Sequence, residues 1–190
     1  MSTITDTFVF PKYFHFRPFF TLQPVSETRD KQLKMWRELV LSYHEHHGLY
    51  TLSTATRDAL FRNPEIDRFL SSDAVDAVIA ALLSHRDAEW EDAETRTTLL
   101  IYWRPPEALA RDVHSWALQR LSRFDAVLPI ADLIGDADAT TAAAATTGKR
   151  SDPEVPFEGV HPAIMIKALE LLEAECKCAI IDGLGVKFAV

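Results

Sequence analysis

Seven aromatic side chains fall within thirteen residues near the start of the chain, and no other segment constrains the fold as strongly. The run from Phe8 to Pro24 reads FVFPKYFHFRPFFTLQP and holds Phe8, Phe10, Tyr13, Phe14, Phe16, Phe19 and Phe20. Pro11 and Pro18 interrupt it. Proline removes a backbone donor and biases the preceding residue towards extended backbone, so no helix is predicted here. Each fully buried Phe contributes about 1.5–3 kcal/mol, and one aromatic covers about 150–250 Å². An extended strip cannot bury that much surface on itself. Part of it must dock on the body of the chain or on a partner, because large apolar patches are seldom left in water. For Phe8–Phe16, padding of the neighbouring core is an equal alternative to partner contact. The stretch Arg17–Pro24 is more specific: Pro18 and Pro24 bracket it, so it is expected to run extended, with Phe19 and Phe20 on opposite sides, ready for a preformed groove.

Behind the strip, apolar periodicity sets out the rest of the chain. Ser26 or Thr28 caps a predicted helix to about His47, stopped by Gly48, with Leu33, Trp36, Val40 and Tyr43 as its stripe and Met35 and Leu39 widening it. Tyr50–Leu52 is a short extended segment. A second helix is expected over about 54–61, closed by Asn63-Pro64. A third starts at Ser71 or Ser72 and buries Val75, Val78, Ile79, Leu82 and Leu83. Asp87–Glu91 and Thr97–Trp103 read as two strands joined by a polar turn, the second rich in β-formers. Pro106 opens a helix to about Ser122, with Leu109, Val113, Trp116, Ala117 and Leu121 inward. Then come a short strand at Val127-Leu128, a short helix over 129–135, and an Ala/Thr/Asp-rich stretch over 136–158, expected as a flexible insertion. A helix over 161–175, with Ile164, Ile166, Ala168, Leu169 and Leu172 apolar, and a terminal hairpin over 177–190 complete the chain. The order helix, short strand, helix, helix, hairpin thus occurs twice. It is the winged-helix arrangement. We expect a mainly α chain with short β wings (α+β): a docking segment over 1–27, a first winged-helix domain over 28–104, and a second over 105–190 that carries the insertion.

Composition narrows the function classes. Of 190 residues, 47% are apolar and 25% charged, ordinary for a globular protein. No apolar run approaches the roughly 20 residues that span a bilayer, and the N-terminal residues lack the pattern of a signal peptide. With two cysteines, Cys176 and Cys178, and no disulfide framework, a reduced, cytoplasmic protein is expected. The formal net charge is −8. The helices that would enter a DNA groove, SSDAVDAVIAALLSHRD and HPAIMIKALELLEAECK, carry few of the Arg, Lys, Asn or Gln side chains that groove reading needs. No nucleic-acid partner is expected. Nucleotide-binding, hydrolase and metalloprotease motifs are absent from the sequence, so neither an enzyme nor a cofactor is expected. His44 and His47 share a helix face as a candidate metal pair, but no third ligand is implied, and histidines at a helix C-terminus also complement its dipole. Cys176 and Cys178 lack a second pair and read as structural thiols.

The segments RPFFTLQP and ETRDKQLKMWRELVLSY, then ALLSHRDAEW, LIYWRPPEALARDVHSW and the closing IIDGLGVKF, resemble the vacuolar protein-sorting-associated protein 25 family, the small subunit of the ESCRT-II endosomal sorting complex. The resemblance spans nearly the whole chain except the extreme N-terminus and the region around 136–158. It implies two tandem winged-helix domains and a non-enzymatic adaptor, cytoplasmic and recruited to the endosome membrane through its complex, in multivesicular body sorting of ubiquitinated cargo. Two copies of such a subunit join one copy each of two larger ESCRT-II subunits. In the family a Pro-Pro-Phe-Phe-like motif inserts into hydrophobic pockets of those larger subunits. Carried over, this implicates Pro18, Phe19 and Phe20, with Arg17 in place of the motif's first Pro. That exchange removes some preordering and offers a charge to an acidic partner rim. The second domain is implied to recruit an ESCRT-III subunit, with no individual residues carried over. The competing expectation is a nuclear tandem winged-helix regulator of transcription with weak DNA contact.

Overall fold

The computed structural model describes residues 8–54, 59–120, 127–135 and 157–189. The chain divides into two compact units, Met1–Trp103 and Arg104–Val190. Among the described residues no helix is long and apolar enough to cross a membrane.

In the first unit α1 (Ser26–His47) is followed by β1 (Thr51–Ser53), the small hairpin of β2 (Arg62–Asn63) and β3 (Arg68–Phe69), α2 (Ser72–Ser84), and the wing strands β4 (Ala88–Trp90) and β5 (Thr98–Ile101). Gly48 closes α1 in the left-handed conformation, with φ of 63°. Ser71 caps α2, its Oγ accepting from the Ala74 amide. The sheet order is β1-β5-β4, antiparallel throughout, with Leu52 and Trp90 both opposite Leu99. At the tip of the wing Asp92 accepts from the Glu94 amide and the Thr95 hydroxyl, both at 2.8 Å, and those hydrogen bonds hold its carboxyl below the usual range.

The second unit repeats this plan. It contains α3 (Pro106–Arg120), β6 (Leu128–Pro129), α4 (Ile130–Ile134), α5 (Pro162–Ala174), β7 (Cys178–Ile181) and β8 (Gly185–Phe188). The sheet order is β6-β8-β7, so in both units the short strand after the first helix pairs with the second strand of the wing. Gly185 is required by close approach: a Cβ there would lie 2.7 Å from Val127 Cγ1.

Several details depart from the sequence pattern. A helix predicted over 54–61 falls partly outside the described residues, and Ala59–Phe61 is a single 3-10 turn running into β2. Asn63 explains the stop: it is buried, its Oδ1 accepts from the Glu65 amide at 3.0 Å, and Pro64 cannot continue a helix. On α1 the buried face takes in Gln32 and His44, while Leu33, Met35 and Tyr43 are half-buried at its margin. On α5 Met165 is fully buried, where the apolar spacing predicts Ile166. Leu121 lies outside the described residues, as does 136–156 of the expected insertion. Its last residues belong to the body of the unit: Phe157 is buried, with its ring 6.1 Å from that of Trp116.

Candidate partner-docking site

The aromatic strip is not extended. It folds into two consecutive 3-10 turns, Lys12–His15 and Arg17–Phe20, after Pro11 and across Pro18. Proline fixes φ near the value a 3-10 turn uses, and its missing N–H is no loss in a first turn. The turn changes where the side chains go. Phe19 and Phe20, expected on opposite sides of a strand, both enter the core and are only 5% and 3% exposed. The Phe19 ring stacks on Trp36 at 4.4 Å and 11°, and Phe20 meets the same indole edge-on at 5.5 Å. Phe14 is buried beside them, and Phe8, Phe10 and Tyr13 pack against the same core. Burial raises the Tyr13 phenol above its ordinary value, assisted by the nearby charge of Glu38.

A polar clamp fixes the backbone of this segment. The buried Gln32 accepts from the Gln23 amide at 3.1 Å and donates to the carbonyls of Phe19 at 2.8 Å and Thr21 at 2.9 Å. Trp36 Nε1 donates to the Phe19 carbonyl as well, at 3.2 Å. Arg29 donates to the carbonyls of Gln23 and Pro24, and Asn63 Nδ2 to that of Phe14. Carbonyls taken below the surface therefore keep their partners.

The same turn leaves Phe16, Arg17 and Pro18 on the surface, with Phe16 61% exposed. Of the four residues expected to contact a partner, Arg17 and Pro18 are accessible, while Phe19 and Phe20 lie beneath them. Sequence reasoning misses two participants. Phe16 falls within the stretch read as core padding or partner contact alike, yet nothing inside the turn receives it. Gln32 sits one helical turn before Trp36, a spacing that places both on one face and is available as a signal.

The candidate metal pair does not converge. His44 is buried with Nδ1 donating to the Val40 carbonyl at 2.7 Å, while the exposed His47 rests against the rings of Tyr43 and Phe8. Among the described residues no three His, Cys, Asp or Glu side chains come together to hold a metal. Cys178 is buried, its Sγ near the Leu169 carbonyl, and burial, with Glu173 nearby, pushes its thiol up to about 11. A thiol so hard to ionise is a structural group at neutral pH.

Comparison with known proteins agrees with this architecture. Residues 13–145 match the model of a family described as ESCRT-II complex subunit. A vacuolar protein-sorting-associated protein 25 from Danio rerio is 34% identical over 187 residues, covering 96% of this chain and 99% of the relative. The Homo sapiens protein is 33% identical, covering 96% and 98%. The Arabidopsis thaliana protein is 31% identical over the full length of both chains. In fold, the chain resembles a crystal structure of subunit VPS25 of the endosomal trafficking complex ESCRT-II, with a TM-score of 0.75 and 17% identity over 94% of this chain and 98% of that one. It also resembles a chain of the crystal structure of endosomal complex ESCRT-II (VPS22/VPS25/VPS36), with a TM-score of 0.70, 17% identity and the same coverages. From sequence and fold together, the chain belongs to the vacuolar protein-sorting-associated protein 25 family of non-catalytic ESCRT-II complex subunits.

Proposed function

We propose that this chain is the small adaptor subunit of an ESCRT-II complex and docks on the two larger subunits through its first unit. Arg17 and Pro18 meet the partner, and Phe19 and Phe20 hold the turn in place from beneath. The observation that carries this reading is the rigid display of the Arg17-Pro18 turn over the Trp36 core, in a chain whose relatives are ESCRT-II subunits. A preordered turn meets its partner without the entropy cost of ordering a loose strip. One crystal structure that the chain resembles in fold is of an ESCRT-II complex of VPS22, VPS25 and VPS36, which supports two further subunits as partners here. Two copies of this chain per complex are part of the proposal.

The second unit is proposed to recruit an ESCRT-III subunit. Two such units in one complex raise the effective concentration of the recruited chain without new contacts. The setting is the cytoplasmic face of the endosome, where the complex serves multivesicular body sorting of ubiquitinated cargo.

A double substitution, Arg17→Glu with Pro18→Glu, tests the docking. Both side chains are exposed, so stability is expected to fall by no more than about 1 kcal/mol, the loss of the restraint that Pro18 places on the unfolded chain, while co-purification of the larger subunits is lost. Recovery of a complex of unchanged mass with the folded variant overturns the reading.

A further inference from the structure

A second aromatic stands in water beside the strip. β3 packs against the turn Arg17–Phe20, and the hairpin that carries it is tied to the strip where Asn63 donates to the Phe14 carbonyl and His15 lies 3.2 Å from Glu65. Residues directly opposite in an antiparallel pair share a face, and neighbours along a strand alternate. Phe61 and Leu70, which continue the Arg62–Phe69 pair, are both buried and joined by a backbone hydrogen bond of 2.9 Å. Arg62 and Phe69 therefore turn outward together, and Phe69 is 69% exposed.

The two segments carry a formal charge opposite in sign to that of the whole chain. The chain carries a formal charge of −8, yet residues 12–18 and 62–69 hold Lys12, Arg17, Arg62 and Arg68 against Glu65 and Asp67. Exposed aromatics next to exposed arginines, Phe16 before Arg17 and Phe69 beside Arg68 and paired with Arg62, have the composition of an interface hot spot rather than of ordinary solvated surface. Anionic lipid is the poorer match, because lipid surfaces are gripped by dense basic clusters and two carboxylates are interleaved in this one.

We propose that Phe69 and Arg62 extend the docking surface of Phe16, Arg17 and Pro18, and that its occupant is an apolar groove with an acidic rim on a larger ESCRT-II subunit. The rings fill the groove and the guanidinium groups pair with rim carboxylates, bidentate where geometry allows. This rests on the reading of the strip given above.

The test uses the full chain co-expressed with the larger subunits and compares Phe69→Ser, Arg62→Glu and Pro18→Glu with the parent. Phe69→Ser is expected to melt as the parent does and to bind the larger subunits about tenfold more weakly or worse. Arg62→Glu is expected to flatten the salt dependence of that binding. If Pro18→Glu abolishes binding while Phe69→Ser leaves it unchanged, the hairpin has no part in docking and the strip reading survives. If neither substitution weakens binding, both fall. Phe69→Ser that keeps full subunit affinity but loses co-sedimentation with phosphatidylserine vesicles would make the surface a membrane contact and overturn the proposal. So would unchanged subunit affinity together with loss of a self-associated form of the isolated chain.

Discussion

The ring of Phe19 lies flat on the indole of Trp36, 4.4 Å away and tilted by 11°, and the indole N–H donates to the carbonyl of the same Phe19. One tryptophan thus holds both the side chain and the backbone of a residue in the Arg17–Phe20 turn. Phe19 is consequently a core residue first. Phe19→Ala is expected to remove about 3–5 kcal/mol from the first unit, the usual loss for truncating a buried Phe. Urea denaturation followed by tryptophan fluorescence measures it. Loss of docking in this variant is then expected to accompany loss of structure, whereas changes at Arg17 and Pro18 are expected to remove the proposed docking at a cost of no more than about 1 kcal/mol. Phe19→Ala that retains parental stability would show the ring to be dispensable to the core.

Gln32 supplies the polar half of the same anchor. Gln32→Leu leaves the Gln23 amide without its acceptor and the Thr21 carbonyl with one of its two donors, Gln23 Nε2, and is expected to cost about 1–3 kcal/mol. Hydrogen exchange at the Gln23 amide gives a local readout and should quicken. Gln32→Glu keeps an acceptor for that amide but turns a carboxylate towards two carbonyl oxygens. Its folded-state pKa is therefore raised, and its stability is expected to recover on acidification, when the protonated acid donates again. A Gln32→Glu variant equally stable at pH 4 and pH 7 would contradict this arrangement.

Much of this architecture is legible in the sequence because its parts are local. Apolar spacing places α1, α2, α3 and α5, Gly48 marks the end of α1, and the repetition of the pattern points to two units of like plan. The aromatic strip is harder for a physical reason. Two prolines exclude a long helix, yet they suit a 3-10 turn as well as an extended strand, and only the position of Trp36 and Gln32 on the opposing helix decides between them. That decision reverses the roles of the aromatics, since a turn sends Phe19 and Phe20 to one side and leaves Phe16 outside. Phe69 is equally hidden. Its outward face follows from pairing with Arg62 in a hairpin of two residues per strand, too short to carry an alternating pattern.

The two thiols near the C-terminus should behave differently despite their spacing. Cys176 is exposed and Cys178 buried. One thiol per chain is expected to react with a neutral-pH disulfide reagent in the native protein, and the second only after unfolding. The Cys178 thiol has its folded-state value raised to about 11 from an ordinary 9.0, chiefly by burial. Between those values the unfolded chain has released a proton that the folded chain still holds, so stability is present below about pH 9 and declines as pH rises towards 11. Cys178→Ala removes that alkaline decline. Two equally fast thiols would contradict the burial of Cys178.

Both units close their last helix through a left-handed residue that is not glycine. Arg86 has φ of 60° and Cys176 φ of 57°, each two residues beyond its helix and two before the first wing strand. The bond pattern is the same: the Asp87 amide donates to the Leu82 carbonyl, and the Lys177 amide to the Leu172 carbonyl, both at 2.9 Å. A side chain in this conformation costs roughly 1–2 kcal/mol, and glycine relieves it while giving back about 0.4–1 kcal/mol through the greater freedom of the unfolded chain. Arg86→Gly and Cys176→Gly are therefore each expected to stabilise their unit by about 0.5–1 kcal/mol, raising its melting temperature by a few degrees. Gly48, with φ of 63°, supplies the opposite measurement. A Cβ there meets nothing within 4 Å, so Gly48→Ala loses stability through the backbone alone, by about 1 kcal/mol. A stabilising Gly48→Ala, or an Arg86→Gly that lowers the melting temperature, would mean that these helix ends are not held in the left-handed conformation in solution.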